Sequence, residues 1–153
     1  MRVLVVCTGN TCRSPLAAAM LAEALAASGR PDVVVSSAGT GAWEGAAASE
    51  GSYLVGLERG LDLSAHRARL LTRALVDESD LVLTMSRPHL ARVRELGGGG
   101  RAHLFGEYAG LNGHPADIAD PFGGDLDDYR ATMRMLAELM PAVAGRIVEN
   151  AGP

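Results

Sequence analysis

The sequence predicts an α/β fold, a three-layer domain in which helices flank a twisted parallel sheet. Short apolar runs alternate along the chain with stretches of helical periodicity. The first run, Val3 to Val6, is apolar throughout, as expected of a central parallel strand. Composition is uniform over the 153 residues, so residues 1–153 are expected to form one domain.

The elements follow from apolar spacing and from the residues that begin or end helices. Pro15 suits the first turn of a helix, Gly29 and Gly60 suit helix ends, and Pro141 is a candidate interruption of the last helix. The predicted order is a strand (3–6), a helix (14–28), a strand (33–36), a loop (37–45), a helix (about 46–59), a polar connection (64–69), a short helix (about 72–78), a strand (81–85), a helix (88–96), a flexible link (97–100), a strand (102–105), an irregular stretch (106–124) and a helix (about 126–149).

Charge and composition exclude several classes of function. The net charge is −4, which argues against a nucleic-acid partner. All 14 residues counted as Lys+Arg are arginine, so a Walker loop with its obligatory lysine is absent. No apolar run approaches the roughly 20 residues of a membrane span, and the N-terminus does not resemble a signal peptide. The protein is therefore expected in the cytoplasm, with no membrane partner.

The turn after the first strand carries the chemistry. Residues 7–15 read Cys-Thr-Gly-Asn-Thr-Cys-Arg-Ser-Pro. A strand that passes through a tight loop into a helix surrounds an anion with backbone N–H groups and the helix dipole. Cys7 opens this loop, where a thiolate nucleophile is favoured, and Arg13 closes it with a guanidinium able to hold two phosphate oxygens. The pattern indicates attack on a phosphate ester, although a free cysteine is more often inert core.

The other loop residues are expected to bind the phosphoryl group or to shape the loop around it. They are Thr8, Gly9, Asn10, Thr11, Cys12 and Ser14. Gly9 and Asn10 tolerate a left-handed backbone, which would turn successive N–H groups toward one anion, but an ordinary turn also uses them. Ser14 could cap the helix or donate to the thiolate. Cys12 is either simple packing or a trap that protects an oxidised Cys7 as a disulfide.

The reaction also requires an acid to protonate the leaving group, and the same carboxylate can later activate water. Asp120 lies in the long irregular stretch and is followed by Pro121 and Phe122. Asp117 is its competitor. An aspartate in a loop is usually a turn or cap residue, so chemistry alone does not select Asp120.

These motifs resemble a known family. Residues 7–15 look like the signature loop of the low-molecular-weight protein tyrosine phosphatases, and Ser37-Ala38-Gly39-Thr40 followed by Trp43 is similar to the second loop of that family. Segments 64–69, 80–85 and 120–122 fall where the family has related segments. The resemblance implies a four-stranded parallel sheet, a phosphocysteine intermediate, and neither metal nor cofactor.

The resemblance also implies roles for individual residues. Cys7 is the nucleophile, Arg13 holds the phosphoryl group, and Asp120 is the general acid and base. Trp43 and Phe122 form walls that grip the flat face of the leaving group. The residues implied to hold the loop in shape through hydrogen bonds are Asn10, Ser14 and His66.

Two departures bear on the substrate. Phe122-Gly123-Gly124 stands where many members have two tyrosines, and Thr11 stands where many have a larger aliphatic residue. Both features are similar to the bacterial protein arginine phosphatase branch. The hydroxyl of Thr11 should also suit the polar guanidinium of phosphoarginine better than it suits the phenyl ring of phosphotyrosine. Trp43 favours aromatic substrates instead. Pockets discriminate weakly on one methylene, by about 1–3 kcal/mol, so phosphotyrosine and phosphoarginine in proteins or peptides both remain candidates.

Other functions are less favoured. A small-molecule phosphate ester is an alternative substrate. A non-catalytic phosphopeptide-binding module would not need both Cys7 and Asp120. An arsenate reductase that relays a disulfide through three cysteines is excluded, since the chain has two, and two cysteines are too few for a structural zinc site. No apolar face argues for a dimer, so a monomer is expected.

Overall fold

The computed structural model describes residues 1–110 and 117–152. Its strands are β1 (Arg2–Cys7), β2 (Val34–Gly39), β3 (Leu81–Thr84) and β4 (Ala102–Leu104). They pair in parallel in the order β2-β1-β3-β4, which confirms the predicted four-stranded sheet. The chain crosses to one side of β1 for β2 and to the other side for β3. Such a reversal opens a crevice at the carboxyl end of β1, where Cys7 lies.

Helices cover both faces of the sheet. They are α1 (Arg13–Ala27), α2 (Glu50–Glu58), α3 (Arg73–Asp77), α4 (Arg87–Glu95), α5 (Phe105–Tyr108) and α6 (Leu126–Asn150). Along β1, Val3 and Val5 pack into the apolar cluster that includes α1 and α6, while Leu4 and Val6 pack into the cluster that includes α3 and α4. Because alternate residues of a strand face opposite ways, a fully apolar strand needs cover on both sides. The predicted three layers are confirmed.

The second strand and the second helix differ from their predicted bounds. Residues 37–39, predicted as loop, extend β2 and pair with residues 5–7 of β1. The second helix begins at Glu50 rather than near residue 46, because Ser49 caps it by accepting a hydrogen bond from Ser52 N. The residues before Ser49 instead pair with the loop at 68, where Ala68 N donates to Ala46 O at 2.7 Å.

The carboxyl-terminal part contains one unexpected helix and one uninterrupted helix. Part of the stretch predicted as irregular forms α5, and residues 111–116 of that stretch lie outside the described residues. Pro141 does not interrupt α6, which runs for 25 residues from a capping box between Asp125 and Asp128. Among the described residues, no helix is long and apolar enough to cross a membrane.

Candidate active site

Cys7 is the last residue of β1 and is 2 % exposed. Its Sγ lies 3.0 Å from Ser14 Oγ, in the first turn of α1. Ser14 Oγ accepts a hydrogen bond from Asn10 Nδ2 at 2.7 Å, so the hydroxyl hydrogen is available for the sulfur. A hydroxyl that donates to sulfur stabilises a thiolate. The alternative role of Ser14 as helix cap is wrong, because the cap position of α1 is Cys12.

The carbonyl oxygens of the loop accept hydrogen bonds from the chain that surrounds it. The pairs are Cys7 O with Thr40 N (3.0 Å), Thr8 O with Gly41 N (3.0 Å), Asn10 O with His66 Nε2 (2.6 Å), Thr11 O with Ser49 N (2.9 Å) and Cys12 O with Ser52 Oγ (3.1 Å). The amide nitrogens of residues 8–12 have no acceptor within residues 1–110 and 117–152. Since the carbonyl and N–H of one peptide unit point in opposite directions, this arrangement leaves a nest of free N–H donors for an anion.

Asn10 holds the loop from behind. It is fully buried, and its φ of 55° is positive, which among the described residues other than glycine occurs only here. Asn10 Nδ2 also donates to Ser37 Oγ at 2.9 Å, and Asn10 Oδ1 accepts from Arg69 N at 2.9 Å. These bonds offset the cost of the left-handed backbone, about 1–2 kcal/mol. Gly9 tolerates a left-handed backbone but does not adopt it, since it is not among the positive-φ glycines.

Gly39, at the end of β2, allows the second loop to pass directly against the first. A Cβ on Gly39 would overlap Thr8 O and lie 2.9 Å from Asn10 N. Only glycine permits this approach without moving the nest.

Arg13 is 5 % exposed and is fixed by its surroundings. Its Nη1 donates to Ile118 O at 2.9 Å, and its Nη2 lies 3.5 Å from Asp120 Oδ2. Arg13 Nε is buried and has no acceptor among the described residues. An unpaired buried donor costs about 1–3 kcal/mol, which a bound oxyanion would offset. The guanidinium is therefore held in place with donors still free.

Asp120 stands at the edge of the site with its side chain 49 % exposed. Its Oδ1 accepts a hydrogen bond from Phe122 N at 3.0 Å, a local turn that sets the direction of the carboxylate. Its Oδ2 faces Arg13. Asp117, the competing candidate, has a buried Oδ1 and does not line the cavity beside Cys7.

A cavity of about 170 Å³ joins these groups. It is lined by Cys7, Thr8, Gly9, Thr11, Cys12, Arg13, Asp120 and Phe122. The cavity gathers the three residues predicted to be catalytic with five of those predicted to bind substrate. Asn10 and Ser14 are not in this lining, because both are fully buried behind the loop.

The two aromatic side chains predicted as walls are both exposed. Phe122 is 77 % exposed and lines the cavity, whereas Trp43 is 84 % exposed and does not line it. The structure therefore brings Phe122 to the site and leaves Trp43 outside it.

Cys12 is a second free thiol in the same lining. Its Sγ lies 3.3 Å from Ser49 Oγ and 3.7 Å from Tyr129 OH. Burial, together with the hydrogen bond to Cys12, raises the pKa of Tyr129. The protective redox role of Cys12 stays a prediction.

Sequence reasoning missed His89, which lies at the start of α4 and is 3 % exposed. Its Nε2 lies 2.8 Å from Thr8 Oγ1 and its Nδ1 lies 2.9 Å from Ser86 Oγ. Burial, and then the positive charge of Arg13, lowers the pKa of His89 to about 4. Ser86 and His89 follow β3, which pairs with β1, so their position after a neighbouring parallel strand was a usable signal.

Fold and site together define a class of protein. A buried thiol, a nest of free amides and a fixed guanidinium at a topological switch point are the parts of a cysteine-dependent phosphatase.

Comparisons with known proteins agree. Residues 2–151 match the family model of the low molecular weight phosphotyrosine protein phosphatases. The chain is 38 % identical to a protein-arginine-phosphatase of Geobacillus stearothermophilus over 95 % of each chain. It is also 38 % identical to the low molecular weight protein-tyrosine-phosphatase PtpB of Staphylococcus haemolyticus, over 92 % of this chain and 95 % of PtpB.

A solved structure shares the fold. A cysteine-to-serine mutant of the YwlE arginine phosphatase, with a phosphorylated active-site serine, is 33 % identical with a TM-score of 0.87, covering 97 % of this chain and 96 % of that one. The present chain thus belongs to the low molecular weight phosphotyrosine protein phosphatase family and is a cysteine-dependent phosphatase.

Proposed function

We propose that the protein hydrolyses phosphorylated protein side chains through a phosphocysteine on Cys7. One observation carries the proposal: Cys7, Arg13 and the loop whose amides have no acceptor among the described residues line a single cavity. Comparison supports it, since relatives named for tyrosine and arginine phosphatase activity match nearly the whole chain.

The reaction has two steps. The Cys7 thiolate attacks phosphorus, an S–P bond forms, and the bond from phosphorus to the leaving oxygen or nitrogen breaks. Asp120 gives its proton to the leaving atom and then takes one from the water that displaces Cys7, which releases inorganic phosphate. The amides and Arg13 stabilise the equatorial oxygens throughout.

Phosphoarginine is the favoured substrate. Thr11 lines the cavity, and its hydroxyl is a better neighbour for a guanidinium than an aliphatic side chain is. The adjoining Gly123 and Gly124 add no side chains to the wall. Phosphotyrosine is the second candidate, because Phe122 exposes 77 % of its surface beside the cavity.

The same geometry bears on the two alternative functions, a phosphopeptide-binding module and a phosphatase of small molecules. A phosphopeptide-binding module would have no use for a nucleophile and a carboxylate in the lining of the same cavity. A small-molecule phosphate ester remains an alternative substrate.

Further proposals concern where and how the enzyme works. Two free cysteines favour a reducing cytoplasm. A net charge of −4 favours protein substrates over nucleic acid. We also infer a monomer, since the sequence offers no apolar face that argues for a dimer.

The test compares kcat/KM on matched peptides that carry phosphoarginine or phosphotyrosine. Thr11→Ile should move the ratio about tenfold toward phosphotyrosine, whereas Thr11→Ser, which keeps the hydroxyl, should leave it within about threefold. A ratio that Thr11→Ile leaves unchanged contradicts the role of Thr11. Failure of the unaltered protein to hydrolyse either peptide contradicts the proposed function.

A further inference from the structure

Behind the cavity, a short chain of polar groups leads from α4 to the loop. Ser86 Oγ lies 2.9 Å from His89 Nδ1, and His89 Nε2 lies 2.8 Å from Thr8 Oγ1. Thr8 lines the cavity, whereas Ser86 and His89 do not. Both ring nitrogens of His89 are therefore engaged, and one of their partners, Thr8, is part of the cavity lining.

The direction of the hydrogen bonds from Ser86 through His89 to Thr8 decides whether the Thr8 hydroxyl can donate into the cavity. A neutral imidazole donates through one nitrogen and accepts through the other. If Ser86 donates to Nδ1, then Nε2–H donates to Thr8 Oγ1 and the Thr8 hydrogen stays free for the cavity. In the opposite order, Nδ1–H donates to Ser86 Oγ and the Thr8 hydroxyl donates its hydrogen to His89 Nε2. An anion in the cavity favours the first order, because only that order presents it with a donor.

The surroundings of Ser86 permit this order. Ser86 occupies the cap position of α4, yet its side chain makes no cap hydrogen bond to the helix backbone. Among residues 1–110 and 117–152, the Ser86 hydroxyl thus forms a hydrogen bond only with His89. Pro88, one of the first residues of α4, has no N–H to compete for it.

We propose that His89, as its Nε2–H tautomer, is a positioning residue that holds Thr8 so that the Thr8 hydroxyl donates to an oxygen of the bound phosphoryl group. The inference rests on the proposed function, because it assumes that the cavity binds phosphate. His89 itself touches neither substrate nor the reacting atoms.

The charges around His89 agree with a fixed, neutral ring. Burial and Arg13 lower the pKa of His89, and Asp120 and Asp117 oppose that shift without cancelling it. A ring with a pKa of about 4 stays neutral over the pH range in which such an enzyme is assayed. His89 therefore does not exchange protons with the substrate.

Two substitutions of His89 separate positioning from packing. The terminal amide of glutamine can occupy the place of Nε2, and that of asparagine can occupy the place of Nδ1. His89→Gln thus keeps the contact with Thr8, while His89→Asn keeps only the contact with Ser86. Both remove the ring from the same buried position, so both should lower the unfolding temperature by similar amounts.

The measurements are the Kd of inorganic phosphate, by titration calorimetry, and kcat and KM for an aryl phosphate. His89→Asn should raise Kd and KM about tenfold, which corresponds to about 1.4 kcal/mol, with a smaller change in kcat. His89→Gln should stay within about threefold of the unaltered protein and keep its pH profile. Equal phosphate affinities for the two variants, or a pH profile shifted by His89→Gln, would overturn the proposal.

Thr8 provides a test that does not depend on a buried substitution. Thr8→Val should weaken phosphate binding about tenfold and Thr8→Ser should preserve it. His89→Asn added to Thr8→Val should cause no more than a twofold further loss, since the hydroxyl it positions is gone. Fully additive losses would contradict the mechanism. Because phosphate affinity is measured without turnover, failure of this proposal is distinguishable from failure to hydrolyse phosphoproteins.

Discussion

The base of the cavity and its rim are built in opposite ways. At the base, five carbonyl oxygens of residues 7–12 are held by donors from outside the loop, and Asn10 is fully buried. At the rim, Phe122 is 77 % exposed, and Trp43, which lies outside the cavity lining, is 84 % exposed. The comparison teaches that phosphoryl chemistry, which every substrate shares, is fixed by the buried network. The choice of substrate is left to side chains with few contacts, which can change at little cost in stability.

The largest effect should come from the base itself. Cys7→Ser should lower turnover of an aryl phosphate by at least about 10⁴-fold, because a neutral hydroxyl is a far weaker nucleophile than a thiolate. The serine fits beside Ser14, so thermal unfolding should change little. Substantial activity in a folded Cys7→Ser protein would remove Cys7 as the nucleophile.

A smaller and more selective effect is expected at Asp120, which joins base and rim. Asp120→Asn should slow esters with poor leaving groups by about 10²–10⁴-fold, the range of general acid catalysis. Esters with good leaving groups should suffer less, since they depart without a proton. Steady-state rates over a series of leaving groups check this dependence, and equal losses across the series would argue for another acid.

The base should also be intolerant of added bulk where the two loops meet. Gly39→Ala should destabilise the protein by about 1–3 kcal/mol and weaken phosphate binding, because its Cβ would overlap Thr8 O. Gly9→Ala is the matched comparison, since its Cβ would lie 3.4 Å from Thr11 Oγ1, an ordinary contact. Urea unfolding gives the free energy of unfolding of both variants. A Gly39→Ala protein as stable as the Gly9→Ala protein would show that the second loop can move away from the first at little cost.

The rim should give the smallest effects. Phe122→Ala and Trp43→Ala should each change stability by less than about 0.5 kcal/mol, because both side chains are mostly exposed. Their kcat on a small aryl phosphate should stay within a few-fold. Kinetics on phosphopeptides is the sharper measurement, and Phe122→Ala should raise KM more than Trp43→Ala does. The reverse order would place Trp43, and not Phe122, against bound substrate.

Much of the phosphate-binding loop at the base of the cavity could be predicted from the sequence, because the pattern that indicates it lies within one short segment. Strand, loop and helix follow one another within residues 2–27, so spacing alone places Cys7 and Arg13 together. The supports of the loop could not be found this way. Ser37, Arg69 and His89 reach the loop from sequence separations of 27, 59 and 81 residues, and local spacing does not pair residues that lie so far apart in the chain.

The predicted bounds of the second helix and of β2 were wrong for the same reason, since distant contacts decide them. Small residues from 46 to 49 suit a helix, but hydrogen bonds to residues 68 and 11 hold that segment outside the helix. Residues 37–39 look like a loop, yet pairing with β1 makes them strand. Local propensity is a weak prior that tertiary contacts override.

The hydrogen bonds that hold the loop carbonyl groups outward also have a disadvantage for turnover. A loop whose amides are preformed around a tetrahedral oxyanion binds the released inorganic phosphate as readily as the ester from which it came. Product inhibition thus follows from the main-chain conformation, and the concentration of free orthophosphate sets the fraction of the enzyme that is occupied by product.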